Sequence, residues 1–203
     1  MIHRALVALI GLNHDAQARP VGTGFTAAQG EFLSSLRRAV SQVRPALIAE
    51  EDSRWALRTR RRISIAEQVA RRSRIEHRFC DPDEQERQAI GYKGGDRLEL
   101  DLWMHNAEGL PDDEVFLRAR AIEIGRYFPI RERFWLSRLG DLHGARIVFI
   151  CGDAHVDGFG ALLRRKGAKV LELGRGIGGK PEDGEFERAR SYLRAHPELA
   201  SHW

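Results

Sequence analysis

Two stretches of this chain share one form, Gly11-Leu12-Asn13-His14 and Gly152-Asp153-Ala154-His155, and each directly follows an apolar run, "ALVALI" (Ala5 to Ile10) and "ARIVFIC" (Ala145 to Cys151). A glycine there lets the backbone turn sharply at the end of a buried strand, and a histidine three residues on can lean back over the strand's end. Histidine titrates near pH ~6.5, so it can take a proton from water or ligate a metal. The acid that would join the pair closes a third apolar run, "ALIAE" (Ala46 to Glu50), where Glu50 and Glu51 stand side by side. In extended chain one of the two faces a crevice and the other points away. Glu50 is slightly favoured for its continuity with the strand, and Glu50 or Glu51 stays open. His14, Glu50 and His155 would give the mixed nitrogen and oxygen ligands of a divalent Zn, Mn or Co ion with an open position. Without metal, a His/Glu pair activates water directly. Both routes are hydrolytic. One Gly-x-x-His alone reads as a capping or loop histidine satisfied by hydrogen bonds; the repetition is what points to a site.

These residues need a scaffold that gathers strand ends. Short apolar runs alternate with segments of helical period, which predicts an α/β fold: a single three-layer domain over residues 1–203, with a central, mostly parallel sheet of about five strands and flanking helices. Phe32, Leu33, Leu36, Val40 and Val43 keep helical spacing, and Pro45 separates that helix from "ALIAE". A helix is expected over Ser64 to Arg72, a strand at "RIEHRFC" (Arg74 to Cys80), helices over Asp113 to Leu139 and Gly158 to Lys166, a strand at "AKVLEL", and a last helix near Glu185 to Ala195. The stretch at about 91–112, with Gly91, Gly94, Gly95 and Gly109, reads as an irregular excursion, either covering a pocket or forming a peripheral hairpin. Parallel sheets bind ligands at the carboxyl ends of their strands, and that is where His14, Glu50, Glu51 and His155 all fall.

Composition narrows the partners. The balance of 33 Lys+Arg against 29 Asp+Glu is too mild to name nucleic acid, and its arginine richness suits carboxylates and phosphates. Arg58, Arg60, Arg61 and Arg62 lack interleaved aromatics beyond Trp55 and read as a solvated helix face. No signal-length or membrane-length apolar stretch occurs, so the expected location is cytoplasmic and no membrane partner is expected. Cys80 and Cys151 end apolar runs and read as buried thiols, with a nucleophilic role as the alternative. Trp103, Trp135 and Trp203 are expected in packing or in contacts between copies in a homo-oligomer. "GRGIGGK" (Gly174 to Lys180) has phosphate-loop spacing, but Pro181 stands where Ser or Thr is needed, so a turn is expected.

The paired Gly-x-x-His motifs, "RPALIAEE", "RERFWL" and "GDAHVDGFGALLRRKGAKV" together resemble the superfamily of TraB, Tiki, ChaN and the erythromycin esterases. The similarity spans Gly11 to Leu173, in outline only between Arg54 and Phe128. It implies an α/β domain whose histidines and acid form a hydrolytic or ligand-binding site: metal-dependent peptidases in Tiki-like members, metal-independent hydrolases in the esterases, haem binding in ChaN-like members. By motif, His14 and His155 fall on the two family histidines, Glu50 or Glu51 on the acid, and Arg131 on the arginine of an R-D/E-x-x-M helix. Glu132 and Trp135 depart from the commoner residues of that helix. Arg131 would hold a substrate carboxylate or phosphate, steady an oxyanion, or pair with the catalytic glutamate. The expected activity is hydrolysis of a small-molecule or peptide ester or amide. The alternative is a non-catalytic protein holding haem or a small anion in the same crevice.

Overall fold

The computed structural model describes residues 4–105, 109–179 and 184–201. The chain divides into two compact units. One takes in the described residues of Met1–Asp83 and Glu132–Pro181, the other those of Glu84–Arg131 and Glu182–Trp203.

The first unit opens with strand β1 (Leu6–Leu12), the short helix α1 (His14–Gln17), strand β2 (Ala18–Pro20) and helix α2 (Ala27–Val43). Thr26 starts α2 with a capping box shared with Gln29, which satisfies two of the backbone donors that a helix start leaves orphaned. Strand β3 (Leu47–Glu50), helix α3 (Arg54–Thr59), strand β4 (Arg62–Ser64), helix α4 (Ile65–Ser73) and strand β5 (Glu76–Phe79) follow. The second unit holds helices α5 (Glu84–Ala89), α6 (Gly95–Met104) and α7 (Asp112–Ile122) and a π-helical turn at Glu123–Tyr127. Helix α8 (Phe128–Leu139), strand β6 (Arg146–Gly152), a 3-10 turn at Asp153–His155, helix α9 (Val156–Arg165), strand β7 (Lys169–Ile177) and helix α10 (Glu185–Ala195) complete the order, before a 3-10 turn at Pro197–Ala200.

The sheet of the first unit has five strands in the order β5-β3-β6-β1-β7, every pair parallel, and β2 pairs with β4 in a separate antiparallel ribbon. This is the expected α/β architecture. Alternation along the strands sorts the two faces. Ala8, Ile10, Ile48, Val148 and Ile150 pack against Phe32 and Leu36 of α2 and Ile65 and Val69 of α4. Val7, Leu9, Ala49, Ile147 and Phe149 pack against Trp135 of α8 and Phe159 and Leu163 of α9. Each such fully buried large side chain contributes about 1.5–3 kcal/mol relative to exposure.

Among its described residues, the stretch at 91–112 is not irregular throughout. Helix α6 lies within it, with Leu98 buried and Leu102 packed beside Tyr92, Ala119 and Ile122 of the second unit's own core. Gly95 leaves room in that helix for two side chains: a Cβ there would lie 1.7 Å from Arg120 Nη1 and 2.5 Å from Glu123 Oε2, while Glu123 Oε1 accepts the Gly95 amide at 2.9 Å. Residues 106–108 of the stretch, Lys180 and Pro181 of the glycine-rich run, and Trp203 fall outside the described residues. Gly174 to Ile177 of that run belong to β7. Among the described residues no helix is long and apolar enough to cross a membrane.

Candidate active site

The strand order decides which loops meet. β6 lies between β3 and β1, and β1 departs toward α2 on one face while β6 departs into α9 on the other. Neighbouring strands whose connections leave on opposite faces open a crevice at their carboxyl ends. In register, Leu12 pairs with Gly152 and Glu50 with Ile150. Glu51, Gly152 and His14 are therefore delivered to one edge.

The two Gly-x-x-His loops cross each other. A Cβ on Gly152 would stand 2.7 Å from His14 Nε2, and a Cβ on Gly11 would stand 2.4 Å from an Asp153 carboxylate oxygen. Each motif's glycine thus makes room for a side chain of the other motif, a closer constraint than the sharp turn that first explains it. Asp153 then accepts the Gly176 amide at 3.0 Å, and the Asn13 side chain caps α1 by accepting from the Asp15 amide.

Glu51 is the acid at the centre. Its side chain is buried; one oxygen accepts the Gly152 amide at 2.6 Å, while Oε1 lies 3.5 Å from His14 Nε2 and 3.8 Å from His155 Nε2. Glu50, the acid favoured for its continuity with the strand, points to the opposite face. It shares the side of Ile48, as alternation requires, and its carboxylate is taken up by Ser64 Oγ at 2.5 Å, His77 Nε2 at 2.8 Å and Gln17 Nε2 at 2.9 Å. The ligand set of His14, Glu50 and His155 is therefore not what the fold assembles. Among the described residues no group of three His, Cys, Asp or Glu side chains could hold a metal ion.

The partners of each histidine fix where its proton sits. His155, 3% exposed, turns Nδ1 to Glu132 Oε1 at 3.1 Å; an ionised carboxylate only accepts, so Nδ1 carries the hydrogen and Nε2 faces Glu51. The Trp135 ring packs edge-on against His155 at 4.8 Å, and its indole N–H donates to Asp81 at 3.1 Å. Trp135 is thus a packing residue here. A Cβ on Gly158 would lie 2.6 Å from Glu132, so α9 also leaves space for that carboxylate. His14 is set through Gln17, whose amide N–H groups go to the Glu50 carboxylate and the Glu51 carbonyl, both acceptors. The Gln17 oxygen is left for His14 Nδ1, at 3.4 Å. Both imidazoles consequently present Nε2 to the same Glu51 oxygen. The His14 side chain is 57% exposed, so this convergence opens to solvent.

Arg131 belongs to the second unit, where its guanidinium lies over the Tyr92 ring at 5.5 Å. Cys80 and Cys151 are both fully buried, and burial pushes the Cys80 thiol up to about 12, which removes it as a nucleophile at neutral pH. Burial, with Glu50 and Asp81 nearby, pushes the Asp52 carboxyl up to about 7.

Gln17, Ser64, His77 and Glu132 were not legible as site residues. The one available signal was His77 at an inward position of "RIEHRFC", on the same face as Glu50, which becomes meaningful only once β3 and β5 are neighbours. Compared with known proteins, the chain matches no family model, no curated protein and no solved structure. The reading of the site rests on its geometry.

Proposed function

We propose that this chain is a hydrolase of ester or amide bonds that activates water with His14, Glu51 and His155, as its resemblance to the erythromycin esterase group of the TraB/Tiki/ChaN superfamily also implies. One observation carries the reading: two Nε2 atoms and a carboxylate oxygen converge at 3.5 and 3.8 Å with one side open to solvent. A water entering from that side can donate to His14 Nε2 and lie beside Glu51. His14 Nε2 takes one water proton while the oxygen attacks the carbonyl carbon; Glu51 stabilises the resulting imidazolium. Collapse of the tetrahedral adduct expels the alcohol or amine, which leaves with the proton from His14. Glu132 holds His155 in the tautomer that faces Glu51.

The test is hydrolysis of a panel of p-nitrophenyl esters and amino-acid anilides by chelator-treated protein. Activity should survive chelation and fall by about 10²–10⁴ in folded His14→Ala and His155→Ala variants, the span of general-base catalysis. Full activity in both variants would sink the proposal. Loss on chelation with recovery on adding Zn, Mn or Co would replace metal-free water activation.

A further inference from the structure

The opposite edge of the same sheet carries a second feature, independent of the hydrolytic reading. A cavity of about 900 Å³ lies at the amino ends of the strands, next to Ala5 before β1, Leu142 before β6 and Ala168 before β7. Its volume falls in the range of small-molecule sites. The seven residues of β1 separate it from the crevice at the other edge by roughly 20 Å at the usual rise per residue.

The lining divides by chemistry. Ala5, Leu136, Leu142, Leu162 and Ala168 form an apolar floor, while Arg4, Arg133 and Lys166 stand on the rim. Those three are solvent-exposed and, among the described residues, no carboxylate pairs with any of them. The sole acid in the lining, Asp141, is exposed and turned to its own loop, where it accepts the His143 amide at 2.9 Å. By contrast, Arg175 is paired with Asp157 and Glu172, and Arg120 with Glu123 and Glu185. Three cations without a carboxylate partner thus stand around an apolar hollow.

We propose that this groove binds an amphipathic anion, a medium-chain fatty acid, with the acyl chain on the leucine floor and the carboxylate held by Arg133 and Lys166, with Arg4 adding attraction. Each methylene buried contributes about 0.8 kcal/mol, and a guanidinium offers a planar fork that matches a carboxylate.

Titration calorimetry of the full chain with dodecanoate below its micelle threshold tests this, with dodecyltrimethylammonium, the same chain under a cation, as the comparison. Dodecanoate should bind saturably. Its affinity should fall about tenfold for each charge reversal, Arg133→Glu and Lys166→Glu, as expected when a hydrogen bond to a charged group is lost. Leu162→Asp should weaken binding through the floor. His14→Ala should leave it unchanged, which separates this proposal from the hydrolytic one. Equal affinity for the two amphiphiles, an unaffected charge-reversal pair, or a dimer in sedimentation that Lys166→Glu dissociates would each overturn it, the last by giving the groove to a second copy.

Discussion

Glu50 and Glu51 are consecutive, both buried, and both face histidines, yet they end in opposite circumstances. Glu50 has every partner it needs, in Ser64, His77 and Gln17, all at hydrogen-bonding distance. Glu51 accepts the Gly152 amide, and its Oε1 lies 3.5 and 3.8 Å from two histidines, one of them reaching solvent. A carboxylate whose oxygens are filled by short bonds fixes structure. One with an oxygen facing an accessible gap is able to do chemistry. The two are also coupled, because Glu50 orients Gln17 and Gln17 sets the tautomer of His14.

That contrast can be broken by substitution. Glu50→Gln should cost stability by about 3 kcal/mol, because it disrupts a buried pair and a single amide oxygen cannot accept from Gln17 on one side and from Ser64 and His77 on the other. Urea unfolding should show the loss, while activity per folded molecule drops by about tenfold at most, through the His14 tautomer. Gly152→Ala should do the reverse. The backbone φ of Gly152 is −58°, which alanine accepts, so the new Cβ acts mainly by displacing the His14 ring. Ester hydrolysis should fall by about 100-fold with stability changed by about 1 kcal/mol or less.

A third effect, read only as a pH dependence, concerns Asp52, the residue after the pair. Its carboxyl is raised from 3.8 to about 7 by burial first and by Glu50 next. The folded state therefore holds a proton that the unfolded state releases, so this group's contribution to stability is full below about pH 4 and is lost as pH rises to about 7. Asp52→Asn should remove that slope, and its urea midpoint relative to wild type should be higher at pH 8 than at pH 4. An identical slope in both proteins would show that Asp52 is not the group responsible.

Local pattern made most of the scaffold legible. The helix expected near Glu185 to Ala195 spans those residues, and the strands at "ALIAE" and "ARIVFIC" fall within one or two residues of β3 and β6. Hydrophobic period is a property of neighbouring residues, so it survives without tertiary information. The paired histidines were legible for the same reason, as a repeat of one motif at two strand ends. The choice between Glu50 and Glu51 was not, because it depends on which face each takes and on Gln17, Ser64 and His77 arriving from three other elements. Helix α6 was obscured by its flanking glycines, one of which leaves room for the side chains of Arg120 and Glu123 rather than serving a loop.

The central claim is that Glu51, not Glu50, serves the reaction. Steady-state ester hydrolysis by Glu51→Gln, corrected for folded fraction, tests it most directly. The geometry predicts a fall of about 10²–10⁴ in kcat/KM with the unfolding midpoint close to wild type. Retained kcat/KM in Glu51→Gln, together with its collapse in folded Glu50→Gln, would contradict it.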